Sequence, residues 1–233
     1  IFAQQKQIVQ NVLDYAPIGE AVPEIPGLTR QRYETDPVFT ATRSFFAALA
    51  AEPGVNYVLA ASADGPEILI SEWADLPEGF DARTRPWYTA AVGAQGYAVT
   101  DPYVSAEEGA TSRIYSVAHA LRRDGELVGV VSLDATFDRI EAELASIVQR
   151  ERVGLAMFSK GSNSIIWSPE GVEGVSLGQM VMALGVRESD APAVVESILN
   201  PQPYYFEGTV DEGNTTYMMQ TMSLSEAEQW GIM

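Results

Sequence analysis

The sequence predicts an α+β fold with two lobes, and three observations lead to this prediction. Helical and strand patterns alternate in two successive series, and the strands are separated by turn signals that favour antiparallel pairing. An amphipathic segment at 137–150 separates the two series. With 46% hydrophobic residues in 233, the chain has enough apolar material for two cores.

The elements of the first series follow from local signals. The opening segment IFAQQKQIVQNVLDY has near-helical apolar spacing and is expected to be the end of a longer helix. Asp36 followed by Pro37 predicts a helix over 36–51. Pro86 predicts the start of a short helix. The expected strands are NYVLAASADG, EILISEW, YAVTDPYV, RIYSVAHALR and ELVGVVSLD.

The second series contains more strands and one further helix. The expected strands are VGLAMFS, SIIWS, PYYFEGTV, TTYMMQTMS and QWGIM, and the expected helix is APAVVESILN. The chain begins at Ile1 and ends at QWGIM, which we interpret as a segment cut from a longer protein. The predicted domains are an N-terminal helix with its connection at 1–35, a first lobe at 36–136, a connecting helix at 137–150 and a second lobe at 151–233.

Composition excludes several kinds of function. A formal charge of −18 repels phosphate backbones, so nucleic acid is not an expected partner. Without cysteine there is no thiolate chemistry and no cysteine-ligated metal. His119 is the one histidine, and its strand position indicates packing rather than catalysis or metal binding. We therefore predict no catalytic residue, cofactor or metal.

The hairpin around Arg123-Asp124-Gly125-Glu126 allows a register to be extrapolated. A two-residue Asp-Gly turn pairs Arg123 with Glu126, and counting outward pairs Tyr115 with Asp134 on a mostly apolar face. A buried carboxylate needs a partner or a cation, which makes Asp134 a candidate ligand contact. The alternative is that Asp134 caps the 137–150 helix.

The stretch FDARTRPWYTAA places an arginine beside two large aromatic residues. In one interpretation Arg85 holds an anion and Trp87 and Tyr88 form the wall of a pocket, where aromatic faces can accept an ammonium group. In the other, Arg85 forms a loop salt bridge and Trp87 fills a core. Local sequence does not choose between them.

FDARTRPWYTAA, followed by TDPYV and GVVSLDATFDRI, resembles the distal module of double Cache sensor domains. The resemblance implies a long N-terminal helix and two PAS-like lobes, each a mostly antiparallel sheet flanked by helices. It implies the periplasmic or extracytoplasmic part of an inner-membrane chemoreceptor, histidine kinase or nucleotide cyclase. The domain itself would bind a small molecule in the distal lobe without catalysis, and would pair as a homodimer through its N-terminal helices.

Within that family the motif is similar to that of amino-acid receptors, which implies roles for individual residues. Arg85 and Trp87 would hold a carboxylate, while Tyr88, Tyr103 and Asp134 would face an ammonium group. Phe80 and Ser105 stand where such receptors carry a tyrosine and a second aspartate, so amines and quaternary amines are expected ligands beside amino acids. The predicted ligand-binding residues are Phe80, Arg85, Trp87, Tyr88, Tyr103, Tyr115 and Asp134.

Two other functions remain open from the sequence. One is a secreted hydrolase working through paired carboxylates, although the pair Glu107-Glu108 lies in a loop where solvated charge is the expected state. The other is a protein-interaction ectodomain whose pocket is vestigial. Substrate turnover would identify the first, and the absence of any response to small molecules would favour the second.

Overall fold

The structure is a computed structural model that describes residues 2–107, 109–152, 154–199, 204–210, 213–219, 222–223 and 230–232. Within the last stretches, from 204 to 223, the backbone alone is described. The chain divides into two compact units, Ile1–Ile140 and Glu141–Met233. Each unit is described by itself below.

Five α-helices belong to the first unit. They are α1 (Phe2–Asp14), α2 (Ile18–Ala21), α3 (Arg30–Thr35), α4 (Pro37–Ala50) and α5 (Pro86–Gly93). The predicted start of α4 is confirmed, because the Asp36 side chain accepts a hydrogen bond from the Val38 amide and Pro37 occupies the first turn. The short helices α2 and α3 were not predicted, since both lie in or beside a proline-rich segment.

The first unit is built on one antiparallel sheet. Its strands are β1 (Val55–Ser62), β2 (Ile68–Ile70), β3 (Tyr97–Val99), β4 (Tyr103–Val104), β5 (Arg113–Arg123) and β6 (Glu126–Thr136). The order is β2-β1-β6-β5-β3, and β4 pairs with β5. Helix α1 packs against β5 and β6, α4 against β1 and β2, and α5 against β3, β5 and β6. This arrangement confirms the predicted α+β class.

The β5–β6 hairpin departs from the extrapolated register by one residue. Its turn is as predicted, with Arg123 opposite Glu126. Between Leu121 and Arg122 the register then shifts at a β-bulge. Ser116, not Tyr115, therefore lies opposite Asp134. The predicted Tyr115–Asp134 pair was wrong because counting from a turn cannot detect an extra residue further along the strand.

In the described residues of the second unit there are three helices and two separate sheets. The helices are α6 (Asp138–Glu151), which begins in the first unit, α7 (Leu177–Ala183) and α8 (Ala191–Leu199). The strands are β7 (Met157–Ser159), β8 (Ser164–Trp167), β9 (Tyr204–Val210), β10 (Gly213–Met219), β11 (Met222–Ser223) and β12 (Trp230–Ile232). One sheet has the order β11-β12-β7-β8, and the other consists of β9 and β10. Both sheets are antiparallel.

The core of the second unit forms between α7, α8 and the first two strands. It contains Phe158, Ile165, Leu177, Val181, Val186, Ala191, Val194, Val195 and Ile198. Helix α7 was missed from sequence although its start carries a capping box, in which Ser176 and Gln179 exchange side-chain and backbone hydrogen bonds. Parts of the predicted second lobe, including 200–203 and 224–229, lie outside the described residues. In the portion of the chain that is described, no helix combines the length and apolar character needed to cross a membrane.

Candidate functional site

One face of the first sheet carries a row of polar side chains across its three central strands. Tyr57 of β1 and Ser116 of β5 both lie opposite Asp134 of β6, so their side chains project on the same side. Leu59 and Ile70, which pair with each other further along β1 and β2, continue this face. Asp134 therefore sits in the middle of a sheet, on a surface that is otherwise largely apolar.

A cavity covers this face. Its walls are Tyr57, Leu59, Ile68, Ile70, Ala74, Leu76, Phe80, Arg85, Trp87, Tyr103, Ser105, Ala106, Glu107, Ile114 and Asp134. The sheet supplies the floor, and the cover comes from the segment after β2, the start of α5 and the loop after β4. Five predicted site residues line it together: Phe80, Arg85, Trp87, Tyr103 and Asp134.

The cavity is narrow, and a wider groove adjoins it. The cavity offers about 30 Å³ to water-sized groups, whereas the groove offers about 340 Å³. Both are lined by Ile68, Ile70, Ala74, Leu76 and Phe80. A water needs roughly 10–15 Å³, so the cavity itself has room for about two waters, and a larger occupant would extend into the groove or displace residues 74–80.

Asp134 is the most deeply placed charged group of the cavity. The residue is 6% exposed, and its Oδ1 accepts a hydrogen bond of 2.6 Å from the Ser116 hydroxyl. Because Ser116 donates to Asp134, the Tyr103 hydroxyl donates to Ser116 Oγ, at 2.6 Å. Asp134 lies within β6 and bonds to β5, and α6 begins only at Asp138, so the alternative of a helix cap is wrong.

Burial governs the ionisation of this carboxyl. It raises the pKa of Asp134 to about 6, against the opposing effects of the Ser116 hydrogen bond and the Arg85 and Tyr103 side chains. Burial also raises the pKa of Tyr103, with Asp134 adding to the effect, so the phenol stays neutral. Near neutral pH Asp134 is thus a charged group at a position that disfavours charge, and a cation in the cavity would relieve that cost.

Arg85 supplies the positive charge of the cavity. Its position is set by the end of a short 3-10 turn (Ala82–Thr84) and by Pro86, the first residue of α5. Its Nη2 donates to the Val104 carbonyl at 3.0 Å, and its guanidinium lies 5.3 Å from the centre of the Tyr103 ring. In the described ranges of the chain Arg85 forms no ion pair. The alternative that Arg85 forms a loop salt bridge is therefore wrong for these residues.

The two aromatic residues after Arg85 have different positions. Trp87 is 3% exposed and forms part of the cavity wall. Tyr88 is buried behind it, with its ring edge-on to Trp87 at 5.6 Å and its hydroxyl donating to the Ser62 carbonyl at 3.4 Å. Tyr88 is not among the residues that line the cavity, and its contacts indicate that it supports Trp87.

Tyr115 lies on the opposite face of the sheet from the cavity, as the corrected register requires. Its hydroxyl receives a hydrogen bond from Gln5 of α1. Its ring packs edge-on against Phe2 at 5.8 Å and Phe137 at 6.4 Å. Tyr115 is thus part of the contact between α1 and the sheet.

Two of the polar residues that line the cavity, Tyr57 and Glu107, were missed from sequence. Tyr57 reaches the cavity through the pairing of β1 with β6, which joins segments distant in sequence. Glu107 was expected to be solvated, but it lines the cavity and its Oε1 is buried without a hydrogen-bond partner. Burial raises the pKa of Tyr57, and the neighbouring Glu107 adds to that effect. Glu108, the other half of the predicted pair, lies outside the described residues.

The arrangement is suited to binding a small charged ligand. A guanidinium and a buried carboxylate face one small cavity whose walls are aromatic and aliphatic. Such a site can hold a carboxylate and an ammonium group of one ligand, or an ammonium group alone. Among the residues that the structure describes, no cluster of three or more histidine or acidic side chains could hold a metal ion.

The first unit is similar to sensor domains of known proteins. A family model described as methyl-accepting chemotaxis protein-like, first PDC sensor domain, matches residues 28–142. Methyl-accepting chemotaxis protein McpA of Pseudomonas putida KT2440 is 36% identical over 96 residues, which are 41% of this chain and 15% of that protein. McpB of Bacillus subtilis strain 168 is 45% identical over 73 residues, 31% of this chain and 10% of that protein. The chain thus spans only a small part of the length of these relatives.

The fold of the chain also matches solved structures. The ligand-binding domain of the Pseudomonas fluorescens chemoreceptor CtaA, in complex with L-alanine, superposes with a TM-score of 0.62 at 21% identity. The match covers 97% of this chain and 84% of that chain. Residues 28–142 are thus similar to a first PDC sensor domain of the methyl-accepting chemotaxis protein type, and the chain shares the fold of a chemoreceptor ligand-binding domain.

Proposed function

We propose that this chain is the extracytoplasmic sensor domain of a transmembrane chemoreceptor and that its cavity binds an amino acid or a small amine. The observation that supports this most directly is the meeting of Arg85 and Asp134 at one cavity. Arg85 has no carboxylate partner in the described ranges, and the side chains that hydrogen-bond to the buried Asp134 there, Ser116 and Tyr103, are hydroxyl donors. Both charges are therefore available to a ligand.

Each lining residue then has a distinct role. The Arg85 guanidinium binds a ligand carboxylate, because its planar fork matches two carboxylate oxygens. Asp134 accepts hydrogen bonds from a ligand ammonium group, while Ser116 and Tyr103 fix the orientation of its carboxyl. Trp87 and Phe80 exclude water and contact the apolar part of the ligand.

The cover over the cavity suggests how binding would be coupled to a signal. A ligand larger than the cavity would contact the segment 74–80, which lines both the cavity and the adjoining groove, and would be enclosed when that segment closes over it. A ligand shifts the balance between open and closed forms only if it binds one of them more tightly. Contacts that form when residues 74–80 close over the ligand supply that difference in affinity.

The proposal extends to the receptor as a whole. We assign the ligand-binding distal lobe to residues 36–136, the connecting helix to 137–150 and the membrane-proximal lobe to 151–233. The domain itself is non-enzymatic, and any catalytic output lies in another part of the receptor. Homodimerisation through the N-terminal helices is the proposed assembly.

A thermal-shift screen tests the binding proposal. The purified domain is titrated with amino acids, primary amines and quaternary amines, and a ligand at 100 times its dissociation constant should stabilise the fold by about 2.7 kcal/mol. Arg85→Ala should abolish the shift for ligands that carry a carboxylate. Arg83→Ala is the matched control, since Arg83 is exposed and pairs with Asp81 outside the cavity.

The screen can also contradict the proposal. If no ligand of these classes shifts the unfolding temperature, the cavity is not a site for them and the interaction-domain alternative gains support. If Arg83→Ala reduces binding as much as Arg85→Ala, the loss is not specific to the cavity.

A further inference from the structure

The cavity carries a second carboxylate whose role the binding proposal leaves unassigned. Glu107 comes from the loop after β4 and lines the cavity together with Asp134 and Tyr57. Its Oε1 is buried and has no hydrogen-bond partner. The same carboxyl forms a hydrogen bond with the Tyr57 side chain. The unpartnered Oε1 is thus a free acceptor in the cavity wall, where a donor from a ligand would relieve its desolvation cost.

The balance of charge in the cavity is negative when both carboxylates are ionised. Asp134 and Glu107 contribute two negative charges, and Arg85 contributes one positive charge. The described ranges contain no ion pair that neutralises Glu107. The negative charge of Glu107 also raises the pKa of Asp134. A zwitterion adds no net charge to such a cavity, whereas a ligand with net charge +1 neutralises it.

The region next to the cavity is also negatively charged. A groove of about 300 Å³ adjoins it and is lined by Tyr57, Glu72, Ser105 and Glu107 among others. Glu107 therefore stands where the groove meets the cavity, and Glu72 adds a further negative charge to the groove. Acidic groups along a concave surface concentrate cations there.

We propose that Glu107 is a specificity-determining residue that makes this cavity prefer ligands of net charge +1, namely basic amino acids or amines without a carboxylate, over neutral zwitterions. The inference rests on the proposed function, because it assigns a ligand class to the same cavity. Glu107 accepts hydrogen bonds from the cationic group, and Asp134 accepts from the same group or from a second ammonium. Ser105 lies in the same loop and also lines the cavity, but its hydroxyl carries no charge, so Glu107 is the residue of this loop that attracts the cation.

Isothermal titration calorimetry with two pairs of probes tests this preference. L-lysine and L-norleucine share a carbon chain and differ by one ammonium group, and isobutylamine is L-valine without its carboxylate. In the parent domain the charged member of at least one pair should bind about tenfold more tightly than its neutral partner, a difference of about 1.4 kcal/mol. Glu107→Gln should remove that preference while changing the affinity of the neutral member less than about twofold.

Two further variants separate charge from structure. Glu126→Gln removes an exposed carboxylate at the start of β6 that does not line the cavity, and it should keep the parent preference. Glu107→Asp retains the charge on a shorter side chain and should keep part of the preference. Thermal unfolding without probes checks that each variant folds.

The possible results distinguish this inference from the function on which it rests. If neutral probes bind as well as charged ones, or if Glu107→Gln leaves the preference unchanged, the inference is overturned while the cavity remains a binding site. If none of the four probes binds to the parent domain, the inference is overturned as well. The proposed function then fails only when the wider screen also yields no ligand.

Discussion

Replacing Asp134 by asparagine should make the domain more stable at neutral pH while weakening its hold on a cation. The side chain keeps its shape, and its remaining oxygen can still accept from the Ser116 hydroxyl. What is lost is a negative charge at a position that is 6% exposed. Removing the charge therefore removes a desolvation cost, together with the attraction for an ammonium group.

The magnitude follows from the shifted ionisation. Burial raises the pKa of Asp134 from 3.8 to about 6, and about 1.4 kcal/mol corresponds to each unit, so the ionised group costs about 3 kcal/mol of folding free energy above the folded-state pKa. Below about pH 4 the carboxyl is protonated in both folded and unfolded chains and costs nothing. The parent should therefore lose stability as the pH rises from about 4 to about 6.

Urea unfolding of both proteins across this range measures the effect. The stability advantage of Asp134→Asn should be near zero at about pH 4, should grow up to about pH 6 and should then stay constant at about 3 kcal/mol. Asp124→Asn, in the exposed hairpin turn, is the matched control and should show no such trend. An advantage that does not change with pH, or a variant less stable than the parent at neutral pH, would refute the reasoning.

Two other substitutions test the packing around the site. Gly129→Ala should lower the free energy of unfolding in urea by about 1–3 kcal/mol, because an added Cβ would lie 2.2 Å from the Ala61 carbonyl oxygen. The control is Gly93→Ala, whose added Cβ meets nothing within 4 Å and whose free energy of unfolding should stay within about 0.5 kcal/mol of the parent. Tyr115→Phe should cost about 1–3 kcal/mol by removing the buried acceptor of the Gln5 amide, and should leave ligand affinity in calorimetry unchanged. Equal stability of the two glycine variants, or weaker ligand binding in Tyr115→Phe, would contradict these assignments.

Local signals in the sequence were sufficient for the elements that local chemistry determines. Asp36 and Pro37 predicted the start of α4, where the structure shows the expected cap. Asp124 and Gly125 predicted the hairpin turn, and both adopt positive φ angles, of 52° and 88°. In each case the decisive interaction joins residues a few positions apart, so one short segment contained all the information.

The site depends on pairings that no short segment contains. Tyr57 reaches Asp134 only because β1 pairs with β6, across 77 positions of the chain. Glu107 lies in a loop whose composition predicts solvated charge, and only the packing of that loop over the sheet brings it into the cavity. The sequence correctly predicted that FDARTRPWYTAA contributes to the cavity, because its residues are consecutive and one short segment carries them together. The sequence could not show that Tyr88 lies behind Trp87.

The bulge in the β5–β6 hairpin determines which residue of β5 faces the cavity, because side chains along a strand alternate between the two faces of the sheet. Asp134 is eight residues from Glu126, whereas its partner Ser116 is seven from Arg123. Adding one residue to both strands would lengthen the hairpin and preserve every pair beyond the bulge. Deleting the extra residue of β6 at the bulge would equalise the two counts and keep Ser116 opposite Asp134. Deleting a single residue from β5 between Ser116 and the bulge, with the bulge kept, would instead place Tyr115 opposite Asp134 and turn it towards the cavity. An alignment gap at this point therefore changes the chemistry of a binding site several residues away.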